Sequence, residues 1–285
     1  MAAAPGNTMA KKLKSMAPKR RVVQFLSLLM LHSSWGPEFK WFCTPVLSCH
    51  SCVLAWFACP IGVFIHYSGF HAFPLIALGT VLALGVAIGR LLCGWVCPFG
   101  FVQDLLFMIP SKKIHMPAWT AYIKYGVLAL TVVVFPFLLS EKTWLSFCRI
   151  CPASALQVTI PGLITDGVGS FSVATAVKLI MLAVILIGAI FSSRSFCKVL
   201  CPIGALLSPL NFVSFWKIKV PTQNCVSCSV CNKVCPEHGD PASRILDGVS
   251  PNRALECIVC HECQTVCPLP KPKRKKIVDV AQAPV

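Results

Sequence analysis

Two runs of cysteine carry the most specific chemistry in this chain. Cys225-x2-Cys228-x2-Cys231-x3-Cys235-Pro236 is followed by Cys257-x2-Cys260-x2-Cys263-x3-Cys267-Pro268. In this spacing a tight loop presents three thiolates to one four-iron cube, and the fourth cysteine serves the neighbouring cube. The pattern predicts one [4Fe–4S] cluster on Cys225, Cys228, Cys231 and Cys267, and a second on Cys257, Cys260, Cys263 and Cys235. Structural zinc uses two separated C-x2-C pairs instead, and disulfides are out of place on a cytoplasmic segment.

Four more cysteines close two apolar runs, Cys93 and Cys97 in LCGWVCPFG and Cys197 and Cys201 in FCKVLCPIG. As i,i+4 pairs on one helix face their Cβ atoms stand about 5–6 Å apart, too far for a relaxed disulfide at about 3.5–4.5 Å. Pro98 and Pro202 are expected to stop each helix just beyond the ligand. Two such pairs on facing helices converge four thiolates, enough for an inner membrane cluster. Free thiols, a disulfide between the pairs and a bound copper ion compete with it. Six further cysteines fall on the opposite side: Cys43, Cys49, Cys52, Cys59, Cys148 and Cys151. Recurrence of Cys49-x2-Cys52 as Cys148-x2-Cys151 nominates those four for an outer cluster. The local grouping Cys43, Cys49, Cys52 and Cys59 competes, and bridges are chemically allowed outside the cytoplasm.

The elements that must position these thiols are apolar. The 285 residues are 56% hydrophobic and only 13% charged, against about 25% charged in an ordinary soluble domain, which excludes a plain cytosolic enzyme. Mean hydropathy is +0.73. Four stretches suit a bilayer core of about 30 Å, or roughly 20 helical residues. One starts at Val22, and the others cover about 72–92, 122–139 and 171–191. The apolar run from Val53 to Ile65 reads as re-entrant or interfacial. The recurring motifs make each half a span, outer cysteines, a span and inner cysteines. The expected fold is an all-α membrane protein, a four-helix transmembrane bundle with a C-terminal two-cluster domain like a bacterial ferredoxin. Its parts are a basic segment 1–21, a duplicated membrane domain 22–215, a dicluster domain 216–270 and a basic tail 271–285.

The net charge of +16 follows from topology. Lys and Arg gather before Val22, at Lys112 and Lys113, and beyond the fourth span through KPKRKK. By the positive-inside rule both termini are cytoplasmic in a multi-pass inner-membrane protein. Nucleic acid is then unnecessary as a partner, and anionic lipid suffices for the tail. No A-x-A-like site supports cleavage of a signal peptide.

Arg90 and Arg194 each precede an inner cysteine by three residues. A cation there steadies an anionic cluster and also anchors an interface. Lys124 and Lys178 lie near enough to span ends to snorkel. His32, His66 and His71 read as solvated or packed, and the tryptophans as an interfacial belt. No G-x-G-x-x-G supports dinucleotide chemistry.

RRVVQFLSLLM, the two C-x3-C-P motifs and the paired ferredoxin motifs together resemble the NapH-type membrane quinol dehydrogenases, a polyferredoxin family. These accompany periplasmic nitrate reductase, with relatives in nitrous oxide reduction and cytochrome oxidase assembly. The resemblance runs from Arg20 to Cys267. It implies four helices, cytoplasmic ferredoxin clusters, and electron transfer from quinol toward a partner redox protein, ferredoxin-like or cytochrome. The rich outer set, WFCTPVLSCHSCVLAWFACPIG and FCRICPAS, departs from the pattern, so the general role is carried over and the substrate is not. Iron–sulfur electron transfer with the quinone pool is the leading expectation. A maturation factor reducing copper or a disulfide at the outer or C-x3-C-P thiols is the alternative, and a redox-sensing regulator the third.

Overall fold

The computed structural model describes residues 15–33, 39–49, 51–52, 54–140, 143–166, 171–220 and 225–268. Residues 1–14 and 269–285, KPKRKK included, lie outside the described residues. The chain is mostly helical. Its one sheet among the described residues pairs β1 (Phe39–Cys43) in parallel with β2 (Phe57–Ala58), which corrects the all-α expectation at the outer cysteine segment.

The helices are short because prolines and positive-φ residues interrupt the apolar runs. In order they are α1 (Ala17–Leu31), α2 (Pro60–Gly69), α3 (Leu75–Ile88), α4 (Leu91–Trp95) and α5 (Pro98–Leu106). Then come α6 (Ala118–Leu139), α7 (Phe147–Ile150), α8 (152–166) and α9 (Val173–Phe191). The last are α10 (Ser195–Val199), α11 (Pro202–Val213), α12 (Val230–Lys233), α13 (Pro241–Leu246) and α14 (Glu262–Val266).

Among the described residues two helices, α6 and α9, are long and apolar enough to cross a membrane. They are the third and fourth expected spans. The first and second are helices of 15 and 14 residues. Fourteen residues at 1.5 Å each reach about 21 Å, short of a core of about 30 Å. The second stops early because Gly89, at φ 61, turns the chain out of the helix four residues before Cys93. Both α6 and α8 contain a wider π turn, Leu128–Val134 and Ala155–Thr159, ending two residues before Pro136 and Pro161. A proline ring collides with the carbonyl four residues back, and the extra residue in the turn moves that carbonyl aside.

The duplication is visible in three dimensions. In each half a long helix (α3, α9) breaks at a positive-φ residue, Gly89 or Arg194. A short helix (α4, α10) then carries the first cysteine, and a proline-initiated helix (α5, α11) follows the second. Helix α5 packs on α1 and on α9 of the other half, while α11 packs on α6 and on α3 of the first half. One continuous core results, including Ile61, Val81, Val132, Leu182 and Phe196 together with Cys59, Cys93, Cys97, Cys151, Cys197 and Cys201. Each large apolar side chain sealed there contributes about 1.5–3 kcal/mol. A second core, with Ile218, Val220, Ile245, Val259 and Cys263, organises the C-terminal segment.

Candidate iron–sulfur centres

Cys93 and Cys97 do not share a helix. Cys93 lies within α4, whereas Cys97 is extended (φ −62°, ψ 118°) and caps α5, whose first residue is Pro98. Cys201 (φ −71°, ψ 112°) caps α11 before Pro202 in the same way. The prolines therefore start the next helix rather than stop the last one, as suits a residue with no N–H to leave unpaired in a first turn. The cap turns a helix amide toward sulfur: Gly204 N–H donates to Cys201 Sγ at 3.4 Å. Gly100 faces Cys97 likewise. Helix N-terminal amides favour the thiolate that iron needs.

The four inner cysteines come together inside the bundle, each interacting with others of the set. Gln103 holds the arrangement, its amide donating to Cys197 Sγ at 3.2 Å while its carbonyl accepts from the Phe196 N–H at 3.2 Å. Arg90 and Arg194 are both fully buried, so neither anchors an interface. Arg194 grips Asp104 through two bonds of 2.9 and 2.6 Å and donates to the Cys93 carbonyl at 2.7 Å. A Cβ on Gly100 would stand 2.5 Å from its guanidinium, so any side chain there would push Arg194 out of its present place. Arg20 reaches the same Asp104 at 3.0 Å.

The other half repeats this cation pair with a different carboxylate. A shift of 104 residues carries Arg20 to Lys124, Arg90 to Arg194, and Asp104 to Ser208. Serine cannot balance two cations, and Glu256 of the C-terminal segment takes the place of the missing aspartate. Lys124 bonds Ser208 at 2.8 Å and Glu256 at 2.6 Å, and Arg90 lies 3.4 Å from Glu256. Lys124 is therefore buried and paired, not snorkelling. Arg90 also donates to the Leu255 carbonyl at 2.8 Å, leaving its Nε and second terminal nitrogen without partners. Buried N–H groups left unmade beside the Cys93 and Cys197 thiols suit a sulfur-rich anion, because an unpaired charged donor is costly.

The C-terminal cysteines sit against this end of the bundle. Trp95 donates to the Val259 carbonyl at 3.1 Å, and the space for a Cβ on Gly94 is taken by the Ile258 carbonyl, 2.3 Å away. Cys235, Cys257, Cys260 and Cys263 line one cavity of about 400 Å³. Burial pushes the Cys235 and Cys257 thiols up to about 12. Burial likewise raises Glu237, which lines the same cavity, to about 7 against the pull of Arg90. Cys225, Cys228 and Cys231 stand together, and α12 packs on α14, which Cys267 caps. Both motifs bend alike, with left-handed residues on each side of the second cysteine: Ser227 and Ser229 around Cys228, Val259 and His261 around Cys260. Non-glycine residues held there cost about 1–3 kcal/mol each. Successive amides turned inward make a concavity for an anion. A thiolate-ligated iron–sulfur cube fits such a cradle.

At the remaining end Cys49, Cys59, Cys148 and Cys151 line a cavity of about 690 Å³ with His66, Arg149 and Lys178. Cys52 and Cys43 are buried elsewhere, Cys43 in a small core with Ala58 and Ala77. The structure thus brings Cys59 into the place that C-x2-C recurrence assigned to Cys52. Cys-Pro was the overlooked signal. Cys59-Pro60 and Cys151-Pro152 cap α2 and α8 in the extended conformation, as Cys97 and Cys201 cap their helices. Leu47 lines this cavity and its main chain also reaches Cys97, so the two membrane quartets share a wall. Among the described residues no three His, Cys, Asp or Glu side chains are arranged around a single metal ion.

Residues 70–117 and 175–221 each match the family described as a 4Fe-4S binding domain, and the two matches contain the two C-x3-C-P motifs. A Methanocaldococcus jannaschii protein is 31% identical over 169 residues, 56% of this chain and 63% of its own. YccM of Escherichia coli is 28% identical over 172 residues, 58% of this chain and 46% of its own. The ferredoxin-type protein NapH of Haemophilus influenzae is 29% identical over 173 residues, 58% and 54% of the two chains. The chain thus spans about half the length of the curated relatives it matches. No solved structure matches it. These matches liken the chain to 4Fe–4S ferredoxin-type proteins, and its two long apolar helices suit a membrane protein. Among the proteins it resembles are the ferredoxin-type proteins, NapH included.

Proposed function

We propose that the chain carries single electrons between quinol in the membrane and a partner redox protein, through four [4Fe–4S] clusters. The ferredoxin cysteines hold two in the crossed assignment, Cys225, Cys228, Cys231 with Cys267 and Cys257, Cys260, Cys263 with Cys235. Cys93, Cys97, Cys197 and Cys201 hold a third, and Cys49, Cys59, Cys148 and Cys151 a fourth. A bound cluster supplies a one-electron step at each quartet. The protein itself excludes water, orients thiols on helix caps and places buried cations beside them. The chain lies in the inner membrane as a multi-pass protein with both termini in the cytoplasm.

Continuity of the quartets carries this reading. Gly94, beside Cys93, meets Ile258, beside Cys257, and Leu47 joins Cys97 to the cavity of Cys49. A bilayer of about 30 Å is too thick for one efficient electron step, and a chain of adjacent centres divides it. The test is anaerobic iron and acid-labile sulfide analysis of the full chain and of a variant with Cys93, Cys97, Cys197 and Cys201 changed to Ser. The variant should lose about four irons, one cube. An unchanged iron content would remove the third cluster, and with it the path.

A further inference from the structure

Arg20 carries more donors than its ion pair uses. Its side chain is 6% exposed, and one terminal nitrogen donates to Asp104 at 3.0 Å. The other terminal nitrogen and Nε are buried without a hydrogen-bond partner, an arrangement that costs the desolvation of each N–H. The amide oxygen of Gln24, one turn on, is also unpartnered, but a neutral amide cannot balance a charge. The other half shows what the ion pair alone requires. There Lys124 stands in the equivalent place and bonds Ser208 and Glu256 at 2.8 and 2.6 Å. A compact ammonium answers the carboxylate in that half, whereas this one uses a guanidinium whose fork has N–H groups to spare.

Helix α1 sets those donors at a seam. Met16, Arg20 and Gln24 are spaced four apart and share one helix face. The Met16 N–H donates to the Glu262 carboxylate at 3.1 Å, and the Ser15 hydroxyl bonds the same group at 3.1 and 3.3 Å. Glu262 adjoins Cys263. One turn beyond Arg20, Gln24 donates to the carbonyl of Gly94 at 2.9 Å, and Gly94 adjoins Cys93. Arg20 therefore stands between a contact to the ferredoxin-like segment and a contact to the inner quartet. Of the charged side chains it is the first to act on Cys260, ahead of Glu262 and Arg194.

We propose that Arg20 is a positioning residue for the centre of Cys257, Cys260, Cys263 and Cys235, its charge and spare N–H groups raising that centre's reduction potential. The inference rests on the electron-transfer reading above and adds a residue, outside every cysteine motif, that decides where the electron rests. One electron passed from the inner quartet leaves one negative charge fewer there and one more at the receiving centre, with no bond made or broken. A fixed, buried cation favours the more negative form of the receiver. Asp104, of opposite sign, works against it.

The test is a redox titration followed by electron paramagnetic resonance, on the full chain purified anaerobically in detergent. Arg20→Gln, Arg20→Lys and Asp104→Asn are compared at the iron content of the parent protein, and the signal followed is the one that Cys260→Ser perturbs. Arg20→Gln should lower the reduction equilibrium of that centre about tenfold, about 59 mV for one electron. Arg20→Lys should recover most of the shift because it keeps the charge, and Asp104→Asn should move the potential upward. Arg20→Gln and Asp104→Asn break the same ion pair, so a purely structural role would move both potentials the same way. Shifts of one sign, or an Arg20→Gln potential equal to the parent's, overturn the assignment and leave the electron-transfer reading standing. A parent protein without iron and sulfide takes down both.

Discussion

Asp104 is the counter-charge for two buried guanidiniums, and its replacement by Asn tests whether that charge holds the duplicated bundle together. Its side chain is 7% exposed, against 6% for Arg20 and 0% for Arg194, at contacts of 3.0 and 2.6 Å. Asparagine keeps the shape and some hydrogen bonds but leaves two cations sealed without an anion. Removing one partner of a buried pair costs about 3–5 kcal/mol. For a chain of this size that lowers the melting temperature by about 6–20 °C. The assay is thermal unfolding of the detergent-solubilised protein followed by tryptophan fluorescence. Adding Arg20→Met to Asp104→Asn removes one stranded cation and should restore part of the loss. The pH dependence has a fixed sign. Burial pushes the Asp104 carboxyl up, but Arg194 and Arg20 outweigh it and hold the group below its ordinary range. Its contribution is complete above the unfolded value of about 3.9 and is lost as pH falls through the folded one. The parent and Asp104→Asn should therefore converge in acid. A melting point within about 2 °C of the parent's, with no rescue by Arg20→Met, would refute the role given to this charge.

Two further outcomes follow from the packing. Cys59→Ser should lower anaerobic iron content by about four atoms, one cube, while Cys52→Ser leaves it unchanged, and the reverse result would return the outer centre to the C-x2-C pairing. Gly94→Val forces a side chain into the 2.3 Å approach to the Ile258 carbonyl. It should cost about 1–3 kcal/mol of overpacking and make the 225–268 segment cleavable by protease in native protein, which parent-like resistance would contradict.

The chemistry proposed for the C-terminal segment is read from residue order alone, because cysteines two and three apart are close whatever surrounds them. In the structure both motifs bend alike, with left-handed residues flanking Cys228 and Cys260. The duplication was legible too, since Arg90, Cys93, Cys97 and Gly100 recur 104 residues later. Helix ends were less so. An apolar run such as 72–92 looks continuous until Gly89 adopts a positive φ, and Pro98 reads as a stop until Cys97 is seen capping the helix it begins.

What only the tertiary structure decided is which distant groups share one buried space. Periodicity and spacing are properties of neighbours along the chain, whereas burial of a charge or thiol depends on what another segment brings to it. Lys124 looks free to snorkel until Glu256, 132 residues away, is found bonded to it. Cys59 and Cys52 are equivalent candidates as letters, and the fold seats Cys59 in one cavity with Cys49, Cys148 and Cys151 and buries Cys52 outside its lining. The sequence nominates the candidate ligands and shows the repeat, and packing of one half's helices against the other's chose their companions.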